Sequence, residues 1–173
     1  MIKTASAWVL TVALAVGVSG GQPAEAADPK VGAWTFGAGL GFLGDTPDGT
    51  AFALNGYAEG FIDRKFSVGP LLQLAATGDL AQIGLSGQAK YWIDIPGTEN
   101  RLKVIVQGGI GFVHAAFRDD DTSWLIPIGA GADYKLADGL NITGTFLLDF
   151  TDLDTGRRGR AHVMPGFTVG VRF

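Results

Sequence analysis

The sequence contains no cysteine and, beyond its first 26 residues, no long apolar segment. The absence of cysteine excludes disulfide bonds, thiolate metal sites and a cysteine nucleophile, so stability has to come from packing and hydrogen bonds. A helix that crosses a membrane needs about 18 or more consecutive apolar residues. The longest apolar run after residue 26, residues 124–132, is about half that length. If the chain enters a membrane, helices do not hold it there.

Charged residues are also scarce, at 17% of the chain, and the formal net charge is −4. A nucleic-acid-binding protein needs a basic surface, so nucleic acid is excluded as a partner. Hydrophobic residues make up 47% of the chain, the mean hydropathy is +0.25, and there are 27 glycines. A water-soluble domain of this size rarely combines so much apolar surface with so little charge.

The first residues have the pattern of an export signal. Lys3 provides a positive charge, residues 7–18 are apolar, and residues 24–26 read Ala-Glu-Ala, with small residues at the positions that signal peptidase requires. This pattern predicts a signal peptide over residues 1–26 and a single mature domain over residues 27–173. We therefore expect an exported protein.

From residue 32 onward, eight segments alternate between apolar and polar or small side chains. In the fourth segment, Ile83, Leu85 and Tyr91 alternate with Gln82 and Ser86. A period of two is typical of β-strands that have two chemically different faces. Clusters of Gly, Asp, Asn and Pro separate the segments, and all seven connections are short enough for hairpins.

The chemistry of the two faces predicts how these strands assemble. One face consists mainly of Leu, Ile, Val and aromatic residues, and the other of Gly, Ser, Thr, Gln and a few charges. Eight strands enclose a space only wide enough for side chains, so the small, polar face suits the interior. Because a bilayer offers no hydrogen-bond partners, the sheet must close on itself. The sequence therefore predicts an all-β fold, an eight-stranded antiparallel up-and-down transmembrane β-barrel with a mostly closed polar lumen.

Further details follow from the predicted topology. If both termini lie on the periplasmic side, four connections face outward, at residues 45–49, 77–79, 119–123 and 152–160. Pro70, Pro127 and Pro165 fall inside the strand patterns, where their missing N–H groups would break a ladder. We expect them at the barrel rims, where bulges are tolerated.

Four charged residues are predicted to point into the lumen, and they are Glu59, Lys90, Asp133 and Arg172. Two carboxylates and two cations in a confined space can neutralise one another, as buried charges must. The main interpretation is a neutral structural plug. The alternative is a gate or a narrow ion path through the same residues.

The export signal, the eight alternating strands and the final stretch FTVGVRF together resemble the small OmpA/OmpX-type outer-membrane β-barrel proteins of Gram-negative bacteria. In that family the last strand is read by the barrel-assembly machinery. The resemblance assigns this role to Phe167, Val169, Val171 and Phe173. It also implies a monomer in the outer membrane, in contact with lipid and lipopolysaccharide, and escorted by periplasmic chaperones during biogenesis.

The remaining candidates lie near the predicted outer rim. Arg157, Arg158 and Arg160 are predicted to contact lipopolysaccharide phosphates. His114 resembles the histidine of lipid A deacylases, but Ala116 stands where those enzymes have a serine. No catalytic residue, metal site or cofactor is predicted. The predicted function is a structural or surface-interaction role, with a narrow porin-like channel for small solutes or ions as the alternative and a lipid A-modifying enzyme as the third hypothesis.

Overall fold

The computed structural model describes residues 30–156 and 159–173. The predicted signal peptide and two of the predicted loop arginines, Arg157 and Arg158, lie outside these residues. The described chain forms eight strands: β1 Trp34–Thr46, β2 Gly49–Asp63, β3 Phe66–Ala76, β4 Ala81–Asp94, β5 Leu102–Ala116, β6 Asp120–Ala137, β7 Leu140–Asp154 and β8 Arg160–Arg172.

Each strand pairs antiparallel with the next one, and β8 pairs with β1, so the sheet is a closed barrel. The predicted eight-stranded antiparallel barrel is confirmed. Closure leaves no free sheet edge. We call the end that carries residues 34 and 173 the terminal end, and the end that carries the β1–β2, β3–β4, β5–β6 and β7–β8 connections the opposite end. No helix among the described residues is long and apolar enough to cross a membrane.

Side chains alternate between the outside and the inside of the barrel as the period of two predicts. On β4, the outward Ile83 and Leu85 are 46% and 42% exposed, whereas the inward Gln82 and Ser86 are buried. The outer surface is formed mainly by large apolar side chains, while most polar side chains of the strands point inward. This arrangement is the reverse of a water-soluble barrel, whose apolar face points inward.

The predicted connection over residues 119–123 is too long. Asp120 pairs with Ala116 and Asp121 pairs with Ala115, so the ladder between β5 and β6 continues through two of the acidic residues. The connection that remains covers only residues 117–119. Acidic side chains are compatible with a strand here because Asp120 is exposed at the rim, where the side chain stays in water.

Two of the prolines lie within the barrel wall, not at the rims as predicted. Pro127 pairs with Asp149 on β7, and the β5–β6 ladder has a gap at this level without a change of register. Pro70 pairs with Gly87 on β4 and leaves a similar gap on its β2 side. Each proline lacks a single N–H, so it interrupts one neighbouring ladder and leaves the other intact. Pro165 does lie where the ladder between β1 and β8 ends.

The interior consists of three zones, which corrects the prediction of a polar lumen. Near the terminal end lie the four predicted charges, and a middle zone contains mostly Gln, Asn and Thr side chains. The opposite end is filled by a cluster that we call the apolar plug, and its members are Leu43, Ala51, Ala53, Ala75, Leu80, Val113, Ala115, Leu125, Leu153, Ala161 and Met164. A shift in register between β7 and β8 places Ala161 inward as well as Met164.

Candidate functional site in the lumen

The strands that run toward the terminal end place four charged side chains inside the barrel. They are Glu59 on β2, Lys90 on β4, Asp133 on β6 and Arg172 on β8, and we call them the charged layer. Each occupies one of the alternate strand positions whose side chains point inward, and each is at most 8% exposed. Charges so deeply buried are tolerated only when they are paired and hydrogen-bonded.

Glu59 and Lys90 form the first buried ion pair of the charged layer. Lys90 Nζ lies 3.1 Å from Glu59 Oε2. The hydroxyls of Thr35 and Ser67 each donate a hydrogen bond to the Glu59 carboxylate, both at 3.2 Å. Lys90 Nζ also lies 3.9 Å from the centre of the Tyr57 ring, within cation–π range. Both charges are therefore compensated without bulk water.

Asp133 and Arg172 form the second pair, with a two-pronged geometry. Arg172 donates from Nε to Asp133 Oδ2 and from Nη2 to Asp133 Oδ1, both at 2.9 Å. The amide of Asn141 also donates to Asp133 Oδ1. The guanidinium carbon lies 4.9 Å from the centre of the Trp92 ring. Bidentate pairs of this kind are among the stronger hydrogen-bonded contacts in proteins.

Buried aromatic side chains adjoin the charged layer near the terminal end. Phe61, Trp92 and Ile105 form a buried cluster. The rings of Phe61 and Trp92 are 5.4 Å apart, and Trp92 Nε1 donates to the hydroxyl of Ser67 at 2.9 Å. The same serine hydrogen-bonds to Glu59. The aromatic cluster and the charged layer thus form one packed unit.

Two further charged groups lie in the lumen and were not among the predicted site residues. Lys103 on β5 is buried and lies 2.9 Å from Asp94 on β4. Asp149 on β7 is also buried, and Gln73 donates to its Oδ2 at 2.8 Å. Both residues occupy alternate strand positions whose side chains point inward. Counting every charged residue at such positions would have identified them.

The middle zone of the lumen contains small cavities. One is lined in part by Asn55, Gln73 and Gln82, and another by Tyr57, Lys90 and other side chains that include Thr143 and Thr145. Each has room for about one water molecule. The first cavity reaches Leu43 of the apolar plug and the second reaches Lys90 of the charged layer, and Asn55 lines both.

The four residues of the last strand to which the resemblance assigns an assembly role all face outward. Phe167, Val169, Val171 and Phe173 are between 40% and 55% exposed. Phe173 is tied to β1 by a reciprocal pair of backbone hydrogen bonds with Phe36, both 2.9 Å. The apolar stripe therefore lies on the outer surface in the folded barrel.

The other predicted residues lie at the opposite end. Arg160 is paired with Asp154, and the shortest distance between them is 2.7 Å. His114 Nδ1 lies 2.8 Å from the hydroxyl of Thr122 on the neighbouring strand. Ala116 offers no nucleophile beside it. The hydroxyl that contacts His114 thus belongs to a threonine, and the position of the deacylase serine holds an alanine.

No family profile matches the sequence, and no curated relative matches it. The chain is similar to several solved structures. Neisserial surface protein A has a TM-score of 0.58 at 15% identity and covers 80% of this chain and 94% of its own. The N-terminal β-barrel domain of Pseudomonas aeruginosa OprF has a TM-score of 0.56 at 15% identity, covering 81% and 97%. Ail, the attachment invasion locus protein of Yersinia pestis, has a TM-score of 0.53 at 13% identity, covering 81% and 96%.

These similarities define the class of fold. The chain has the architecture of the small eight-stranded outer-membrane β-barrels, with all eight strands in one closed antiparallel sheet. The fold expected from the OmpA/OmpX-type resemblance is confirmed. At these identities the likeness concerns the fold alone.

Proposed function

We propose that the chain is an integral outer-membrane protein with a sealed barrel and a structural or surface-interaction role. The proposal combines an outer surface that suits a bilayer with an interior that is packed at two levels, the charged layer and the apolar plug. It also includes the predicted export signal, a monomeric state, contact with lipopolysaccharide, and delivery by periplasmic chaperones to the assembly machinery, which would read the outward stripe of β8.

The outer surface supports the membrane location. Large apolar side chains cover the barrel between its ends, and they are too exposed for a protein in water. Exposed aromatic side chains lie near both ends: Trp34, Tyr91, Tyr134 and Phe173 near the terminal end, and Phe42, Phe52, Phe112 and Trp124 toward the opposite end. Two aromatic rings around an apolar band are typical of barrels that span the outer membrane.

The packed interior is the observation that carries the sealed-barrel proposal. The charged layer is neutralised within itself, because Glu59 pairs with Lys90 and Asp133 pairs with Arg172. The apolar plug closes the opposite half of the lumen independently. A channel would require both barriers to move, so a narrow porin-like channel is the weaker hypothesis.

Planar-bilayer recording tests the sealed barrel. We expect the purified, refolded protein to show no discrete openings. Lys90→Met should remain silent too, because the apolar plug does not depend on the charged layer. Regular openings of the wild-type protein whose conductance changes in Lys90→Met would overturn the proposal and favour the channel.

The short loops of the opposite end favour contacts of small area. Two of its connections cover only residues 47–48 and 117–119. The names of two similar structures, a surface protein and an attachment invasion locus protein, support a surface role. Catalysis is not part of the proposal, since Ala116 replaces the serine that lipid A deacylation would need. Comparison of lipid A from cells with and without the protein tests this, and a changed acylation pattern would contradict it.

A further inference from the structure

Asp149 is a buried acid at the boundary between the middle zone and the apolar plug. Its side chain points into the lumen and is only 1% exposed. Its ladder partners are Pro127 on β6 and Met164 on β8, and both are fully buried. The neighbouring strands therefore surround the carboxylate with apolar groups.

The polar groups that reach Asp149 come from the other side of the lumen. Gln73 on β3 donates from Nε2 to Oδ2 at 2.8 Å, and Asp149 Oδ1 has no hydrogen-bond partner. The side-chain oxygens of Gln73 and Gln82 are buried without a partner as well. The amide nitrogen of Gln82 faces the sulfur of Met164 at 3.7 Å. The site thus contains three buried acceptor oxygens, and no donor from the described residues reaches them.

Three other acids of the lumen each have a cation close by. Lys90 is 3.1 Å from Glu59, and Arg172 donates twice to Asp133. Asp94 is 2.9 Å from Lys103. The groups that face Asp149 are Pro127 from β6, Met164 from β8, Gln73 from β3 and, next to it, Gln82 from β4, and none of these can carry a charge.

An isolated carboxylate is so costly in an apolar environment that such groups become neutral instead of remaining ionised. We propose that Asp149 is a buried proton-binding site, at which the folded barrel holds the side chain as the neutral acid. The proton resides on Oδ1, whose hydroxyl donates to an unpartnered amide oxygen of Gln73 or Gln82. Folding thus takes up one proton from the solvent and needs no other reactant.

A sodium ion is the competing occupant of the three oxygens. A cation would have to exchange its hydration shell for these few ligands in a space that holds about one water molecule. A proton needs no such space, and it converts an acceptor into the missing donor. The proton is therefore favoured by the geometry.

Infrared spectroscopy of the purified, refolded protein tests the proposal directly. We expect the carbonyl band of a protonated carboxylic acid in the wild type at about pH 5, above the range in which an exposed aspartate is protonated. Asp149→Asn should lack the band and should fold, because the amide oxygen still accepts from Gln73. Asp154→Asn, which changes an exposed ion pair, is the control and should keep the band. A wild type without the band, or a band that persists in Asp149→Asn, would overturn the proposal.

Unfolding equilibria provide a second readout. Above about pH 4, where an exposed aspartate is ionised, the unfolded chain releases the proton that the folded barrel retains. The wild-type unfolding equilibrium constant should therefore rise relative to that of Asp149→Asn, by about tenfold per pH unit, until the buried acid itself ionises. If instead sodium stabilises the wild type at constant ionic strength and this effect disappears in Asp149→Asn, the site binds a cation and the proposal is wrong.

Discussion

Removal of one partner from the buried Asp133–Arg172 pair is the sharpest test of the charged layer. Asp133→Asn retains the volume of the side chain but leaves the Arg172 guanidinium without a counter-ion in a site where both side chains are at most 8% exposed. It also replaces the carboxylate that accepts two hydrogen bonds from Arg172 at 2.9 Å. Breaking a buried pair in this way costs about 3–5 kcal/mol of unfolding free energy.

The double variant Asp133→Leu with Arg172→Met should lose less than either single change. A buried pair replaced by apolar groups of similar volume is often neutral, because the desolvation of both charges is no longer required. A residual loss of about 1–3 kcal/mol is expected here, since the amide of Asn141 loses its acceptor on Asp133.

Equilibrium urea unfolding in lipid vesicles, followed by tryptophan fluorescence, measures these free energies. Asp154→Asn is the control, because its pair with Arg160 is exposed and should contribute little to stability. Equal stability of Asp133→Asn and the wild type would refute the reasoning, and so would losses that add in the double variant.

Three further predictions concern the wall of the barrel. Leu85→Arg, at an outward position in the middle of β4, should lower the unfolding free energy in vesicles by about 2–4 kcal/mol. Ile62→Arg, near the end of β2, should lower it by only about 0–1 kcal/mol. Equal losses would contradict the depth in the membrane that we assign to the two residues. Gly41→Ala should destabilise the barrel by about 1–3 kcal/mol, because its Cβ would lie 1.8 Å from a carbonyl oxygen of β8. In Gly39→Ala the nearest atom is 3.3 Å from the new Cβ, a close contact that a small shift relieves, so this variant should retain the heat-modifiable gel mobility of the folded protein. Phe173→Ala should reduce the amount of folded protein in cells without preventing refolding of the purified chain, and a normal cellular level would argue against the assembly role.

The barrel could be predicted because one physical property recurs in every strand. The alternation around Leu85 and Ser86 indicates which side chains face an apolar environment. Eight such segments with short connections are compatible with few other topologies. The inward direction of Glu59 and Arg172 follows from the same parity.

Features that depend on three-dimensional register could not be predicted in the same way. The alternation along each strand indicates that Leu125 and Met164 point inward. Whether the lumen is polar or holds an apolar plug depends on which inward residues of the eight strands lie at the same height in the barrel. The start of β6 at Asp120 could not be predicted, because residues typical of loops can still pair with a neighbouring strand at the rim of a barrel. Pro127 was expected at a rim because the sequence does not show which neighbouring strand would lose a hydrogen bond to it.

The central claim is that the apolar face of each strand meets lipid and the other face meets a packed interior. Since the chain has no cysteine, single cysteines can be introduced at each position of β4 from 82 to 92 and labelled with a nitroxide in vesicles. Collisions with oxygen should alternate with a period of two, high at the odd positions that include 83 and 85 and low at the even positions that include 82 and 86. Maxima at the even positions, or odd positions that are accessible to a water-soluble relaxation agent, would contradict the account.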